Sequence, residues 1–137
     1  QSRRCLVVAS GWYEWSASRR PWHIQFVDGG VMAFAGLFYE EKNQRRFVIL
    51  TTNADTRLAD IHRRAPLILS SSDFDVWIGG NAATAEGLLQ PAPSRWFKWY
   101  RVGVDVGKVS NDHPALVKPL NDDELCAEER LQGDLFS

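Results

Sequence analysis

Five short apolar runs, none longer than nine residues and each cut off by turn-forming residues, occupy most of the first 52 positions. That texture commits the N-terminal half to strands, because runs of this length are too short for the helical period to show and are rich in β-branched and aromatic side chains. Residues 5–9 read as a strand, Ser10-Gly11 as a bend or bulge, and residues 12–15 as a second strand. Arg19, Arg20 and Pro21 interrupt the pattern, after which residues 22–27 (WHIQFV) alternate apolar with polar. Asp28-Gly29-Gly30 predicts a turn into residues 31–39, and the two runs read as a β-hairpin. The polar stretch 40–46 is a further turn, and residues 47–52 (FVILTT) form the run that most resembles a buried strand.

Beyond Asn53 the texture changes. Asn53-Ala54-Asp55-Thr56 offers helix caps, and Leu58 and Ile61 lie three apart on a short helical turn that delivers His62. Residues 67–69 make a short strand, Ser70 to Ser72 can cap a helix over residues 73–78 ended by Gly79-Gly80, and a weaker helix follows over 82–89 until Pro91 and Pro93. Residues 96–104 (WFKWYRVGV) are strand-like, with a turn near Val106-Gly107, and the chain beyond Leu120 has weak helical character. The order of elements gives an α+β domain, predominantly β.

At 137 residues the chain is the length of one domain. With 45% hydrophobic and 24% charged residues it is neither disordered nor coiled coil. No apolar run reaches the roughly 18 residues of a membrane span, and Gln1 to Arg4 leads into a strand rather than a signal peptide. Two cysteines without CxxC spacing point to a reducing compartment, most simply the cytoplasm. The net charge of −1 conceals an asymmetry, because residues 121–137 carry six acids against one base while residues 1–120 carry 15 bases against 11 acids. A mildly basic body with an acidic, flexible tail suits a polyanion partner, and suits equally a solvated surface with a loose end.

Few residues stand out as chemistry. Glu14 lies among Trp12, Tyr13 and Trp15, company in which a carboxylate is a candidate for proton transfer, unless it alternates outward from a half-buried strand. His62 adjoins Arg63 and Arg64, an arrangement suited to acid–base work at a phosphate-bearing ligand or to a surface cap. Thr51, Thr52 and Asn53 offer hydroxyl and amide groups to a ligand or to a turn. Cys5 begins an apolar strand and reads as a small core residue, and the acids around Cys126 discourage a thiolate there. His23 and His113 have no partners at metal-ligand spacing, and there is no HExxH, phosphate-binding glycine loop, GxSxG or dinucleotide fingerprint. The six tryptophans fit a core and fit stacking on unpaired bases.

Several stretches taken together are more specific. They are Arg3-Arg4-Cys5-Leu6, Ser10-Gly11-Trp12-Tyr13-Glu14-Trp15, Ala33-Phe34-Ala35-Gly36-Leu37 and Leu50-Thr51-Thr52-Asn53-Ala54, followed by Asp60-Ile61-His62-Arg63-Arg64-Ala65-Pro66-Leu67-Ile68-Leu69. In that order the chain resembles the SRAP family, the SOS-response-associated peptidase domain. Residues 104–120, with Val109, Asn111, Pro114, Leu116 and Pro119, resemble the family's closing strand and terminal motif. The resemblance covers about residues 1–120 and rests on the combination of GWYEW with IHxRxP.

The resemblance implies a barrel-like mixed sheet with a few short flanking helices. It implies a domain that binds single-stranded DNA and attaches covalently to abasic sites, through an N-terminal cysteine whose amine forms a Schiff base and whose thiol closes a thiazolidine. It assigns Glu14 and His62 as catalytic, Arg64 as a phosphate contact, and Trp15 and Thr51 as pocket-lining, with Arg63 standing where many members have aspartate and adding basic surface. It implies no metal and no cofactor. The chain starts at Gln1 rather than at cysteine, so residues 1–120 read as the larger, C-terminal part of one such domain, inactive alone and paired with an N-terminal section that carries the nucleophile. The family's name keeps thiol peptidase action in view, and the basic body keeps non-covalent DNA binding in view.

Overall fold

The computed structural model describes residues 3–108, 110–112 and 114–127. Two three-stranded antiparallel sheets and a two-stranded ladder carry most of the chain. β1 (Arg3–Ala9), β4 (Met32–Glu41) and β5 (Gln44–Ile49) form the first sheet in the order β1-β4-β5. β2 (Trp12–Trp15), β3 (Pro21–Phe26) and β8 (Phe97–Arg101) form the second in the order β2-β3-β8. β6 (Thr51–Asn53) and β7 (Arg64–Pro66) make the ladder. Short helices, among them α1 (Phe74–Gly79) and α2 (Ala82–Glu86), flank the sheets in an α+β architecture that is predominantly β as the sequence implies. The sheets are open and their pairings antiparallel, and among the described residues they do not close into a barrel.

The expected hairpin of residues 22–27 with 31–39 does not form. β3 pairs with β2 and β8, whereas β4 pairs with β1 and β5, so the turn at Gly29 (φ 73°) carries the chain from one sheet to the other. The physical reason is face-to-face burial, since Ile24 and Phe34 meet across a shared core with Met32, Leu58, Ile61, Ile68 and Phe97 instead of lying side by side. Trp12 meets the rings of Phe34 and Phe97 edge-on at 6.1 and 5.4 Å, the arrangement that ring quadrupoles favour.

The run 47–52 is not one buried strand. It splits at Leu50: β5 is an outer strand with Phe47 61% and Val48 45% exposed, and β6 belongs to the ladder. Leu50 packs with the second core, its amide donating to the Ala35 carbonyl while its own carbonyl accepts from Leu67. The turn before β5 is tight, with Lys42 and Asn43 at φ 49° and 63°, values that match the right-handed twist of a hairpin. Residues 67–69 run beside β4 through a single bridge from Ile68 to Phe34, fully buried. β8 is shorter than the strand-like run 96–104, and residues 122–127 are helical, capped reciprocally by Asn121 and Glu124. The flexible-tail reading covers residues 121–137, of which 128–137, like Val109 and His113, lie outside the described residues.

His23 lies on the face of β3 opposite Ile24, between the rings of Tyr13 (5.3 Å) and Tyr100 (5.4 Å). Gly11 makes room for it, since a Cβ there would stand 2.7 Å from His23 Nε2. Burial holds the imidazole below its ordinary 6.5, and its Nδ1 finds no partner among the described residues. The unfolded chain therefore binds this proton more readily, so the contribution of neutral His23 is fully present above pH 6.5 and is lost as pH falls toward the lowered folded value. Urea midpoints should fall between pH 7 and pH 5, and His23→Phe should flatten that slope; an unchanged slope in the variant would count against His23 as its source.

Candidate functional site

Glu14 and Trp12 project from the same face of β2, as residues two apart on a strand must. With Ile24, Leu58, His62, Arg64 and Ala65 they line a narrow cleft between the second sheet and the ladder. Glu14 pairs across the sheet with Trp22, and His62 arrives on the far side from the loop between β6 and β7. His62 Nδ1 stands 4.0 Å from Glu14 Oε1, with the side chains 42% and 22% exposed respectively. Two residues 48 positions apart are thus brought together at the cleft mouth.

The loop that delivers His62 is short and heavily bonded. A 3-10 turn at Leu58–Asp60 buries Leu58 and, just past it, Ile61 in the first core, which pins the turn by its apolar side. The amides of Ile61 and His62 both donate to the Leu58 carbonyl. On the polar side Asp55 Oδ2 accepts from the Ser94 amide at 2.6 Å, and Ser94 Oγ accepts from the Leu58 amide at 3.3 Å. The Ser94 amide, with the Thr56 amide and the Ser94 hydroxyl, holds the Asp55 carboxyl below its ordinary 3.8, since each stabilises the charged form. That stabilisation is present above the ordinary value and is lost as pH falls through the lowered one.

His62 Nδ1 also lies against the backbone of Arg64, 3.2 Å from its amide, which donates to the imine form, and 3.0 Å from its carbonyl, which accepts from the protonated form. Either tautomer is therefore supported without ring rotation, and a proton gained at Nδ1 falls between the Arg64 carbonyl and the Glu14 carboxylate. An imidazole so placed can take and return protons through Nε2.

Arg64 is fixed by the ladder register, which sets it opposite Asn53. Its Nη1 donates to Asn53 Oδ1 (3.1 Å), and its Nη2 donates to the Thr51 carbonyl (2.8 Å) and to Thr51 Oγ1 (3.0 Å). Among the described residues three of the five guanidinium donors are engaged, leaving Nε–H and one Nη1–H for an anion. Thr51 and Asn53 thus serve Arg64 directly. Arg63 alternates to the other side of the loop, exposed, its carbonyl accepting from Ala54. Trp15 does not line the cleft, because alternation along β2 turns it away from Glu14; it is 39% exposed and its ring lies against Gly107. Cys5 is half-buried in β1 and burial pushes its thiol up, which suits a packing residue. Among the described residues no cluster of three metal-ligating side chains occurs, and no helix is long and apolar enough to cross a membrane.

Asp55 and Ser94 escape a reading of the sequence for chemistry. Asp55 is visible there as a cap, but nothing local announces that its partner lies 39 residues on.

The class of protein follows from this fold and from sequence comparison. A family model described as SOS response associated peptidase (SRAP) matches residues 1–109, and the chain belongs to that family. Among curated relatives it is 31% identical over 131 residues to the abasic site processing protein YedK of Escherichia coli (strain K12), covering 88% of this chain and 59% of that protein. It is 32% identical over 133 residues to the abasic site processing protein YMR114C of Saccharomyces cerevisiae, covering 88% of this chain and 36% of that one. A crystal structure of a protein from Bacteroides thetaiotaomicron superposes with a TM-score of 0.73 at 25% identity, over 87% of this chain and 57% of that chain. The chain thus spans less than two thirds of the length of these relatives.

Proposed function

We propose that this chain supplies the proton-transfer and phosphate-holding part of a domain that attaches covalently to abasic sites in single-stranded DNA. The observation that carries the reading is the Glu14–His62 pair at the cleft mouth, 4.0 Å apart and flanked by the fixed guanidinium of Arg64. The names of the relatives, abasic site processing proteins, support the same substrate. An amine condensing with a sugar aldehyde must be unprotonated, and the hydroxyl of the carbinolamine must leave as water, so a carboxylate and an imidazole beside the amine meet both needs. Glu14 orients the amine and moves its protons, and His62 assists opening of the sugar ring and release of the strand. Arg64 meets a flanking phosphate through its remaining donors, Arg63 adds long-range attraction, and Thr51 acts through Arg64. Trp15, on the other face of β2, would meet DNA only where the strand wraps the edge of the second sheet. Residues 1–120 act as the larger part of one domain, in the cytoplasm, with the nucleophile supplied from outside Gln1–Ser137; no metal or cofactor is required.

The test is a denaturing gel of the complete gene product, and separately of this 137-residue chain, each mixed with single-stranded DNA bearing one abasic site. A retarded band for the complete product alone is the expected result. A complex that forms but is lost in detergent, with steep salt dependence, would replace the covalent reading by a binding module. Cleavage of an unrelated peptide without any retarded band would replace it by thiol peptidase action.

A further inference from the structure

Ser94 lies 32 positions beyond His62 in the chain yet is two hydrogen bonds away from it. Ser94 Oγ accepts from the Leu58 amide, and the Leu58 carbonyl accepts from the His62 amide. Asp55 closes the circuit from the other end of the turn, taking the Ser94 amide at 2.6 Å while its own carbonyl accepts from the Ala59 amide. Ser94 is buried, at the start of a 3-10 turn (Ser94–Trp96) that leads into β8. The His62 loop is therefore fastened to the second sheet, the sheet that bears Glu14, at a point other than Glu14 itself.

We infer that Asp55 and Ser94 are positioning residues that hold His62 in register with Glu14, by latching the loop between β6 and β7 onto the entrance of β8. The inference rests on the proposed roles of Glu14 and His62 and adds two residues for which those roles give no reason. Without the latch the turn keeps its apolar anchor, Leu58 and Ile61, the Ala54–Arg63 backbone bond at its base and the Arg57 guanidinium 5.4 Å from the Trp99 ring, but it loses the hydrogen bonds that fasten it to the entrance of β8. A shift of about 1 Å in a proton-transfer group is enough to cost catalysis heavily, and at 4.0 Å the pair has little separation to spare. Neither Asp55 nor Ser94 lines the cleft, so their loss should leave DNA affinity alone.

The experiment uses the complete gene product with Ser94→Ala, Asp55→Ala and Asp55→Asn, the last retaining one carboxamide oxygen as acceptor. Two readouts are taken: the rate constant of covalent attachment at saturating abasic single-stranded DNA, and the NMR resonances of the His62 ring and amide without DNA. The alanine variants are expected to slow attachment about three- to thirtyfold at unchanged DNA affinity. They should also speed exchange of the His62 amide about three- to tenfold, the range expected when one supporting hydrogen bond is lost. Asp55→Asn should fall between wild type and Asp55→Ala in both. Unmoved His62 resonances in Ser94→Ala and Asp55→Ala overturn the latch, as does unchanged attachment in variants whose resonances move. Should the wild-type protein form no adduct at all, the functional reading fails, while the His62 resonances still decide whether the latch exists.

Discussion

Under the proposed function, Glu14→Gln and His62→Ala in the complete gene product are each expected to slow covalent attachment to an abasic single strand by about a hundredfold or more, the usual scale of a lost acid–base group. The double variant is expected to be little worse than the poorer single one. The reason is geometric: His62 Nδ1 faces Glu14 Oε1 at 4.0 Å, within ion-pair reach, with the Arg64 carbonyl at 3.0 Å, so the two side chains are set to serve one reacting centre together. Groups that act as a unit are strongly non-additive, because removing either idles the other. Glu14→Gln is the sharper probe, since it keeps the side chain's volume while discarding the carboxylate. Arg64→Ala should behave differently and weaken DNA binding while sparing the chemical step, with a shallower salt dependence by about one phosphate contact. The measurement is single-turnover attachment against DNA concentration, followed on denaturing gels. Full multiplicativity of the Glu14 and His62 effects would show that they act at separate steps and would dissolve the pair as a unit.

The two residues of that pair are visible in the sequence because each sits inside a run that stays legible by itself. Glu14 interrupts an aromatic strand, and His62 ends a turn marked by Leu58 and Ile61 at helical spacing. What the sequence does not display is sheet membership. Residues 22–27 and 31–39 look like two arms of one hairpin, since Asp28-Gly29-Gly30 is a fair turn, and local chemistry cannot tell a turn that folds a strand back from one that leads it across a core. The run 47–52 misleads for a related reason. Its apolar density mimics burial, although Phe47 and Val48 lie on an outer strand and only Leu50 turns inward. Long-range polar contacts are silent as well, because the Asp55–Ser94 latch and the bonds from Arg4 to the end of α1 depend on approach in space.

Trp77→Ala is expected to remove about 3–5 kcal/mol of stability, as truncation of a buried tryptophan does. Against a total of roughly 5–15 kcal/mol for a domain of this size, that leaves little margin. Trp77 is 3% exposed in the second core with Ala35, Leu67, Leu69 and Ala85, and its indole N–H donates to the Cys5 carbonyl at 2.9 Å. α1 is six residues long, too short to persist by its own hydrogen bonds. It is held at its C-terminal end by Arg4, which donates to the carbonyls of Trp77 and Gly80 and lies 5.9 Å from the Trp77 ring. A guanidinium there satisfies carbonyls the helix leaves open and meets the negative end of its dipole. Trp77→Phe keeps most of the apolar volume but leaves the Cys5 carbonyl without its donor, so it should cost about 1–3 kcal/mol. Urea titrations of both variants give the comparison, and equal losses would mean that the hydrogen bond rather than the packed ring carries the effect. The second core also takes Leu67, the residue directly after β7, whose first position is Arg64. Weakening that core therefore loosens the ladder from its C-terminal side. In Trp77→Ala, Arg64 should lose amide-exchange protection more than Trp22 in the second sheet, and equal losses at both would show that the two cores open as one unit.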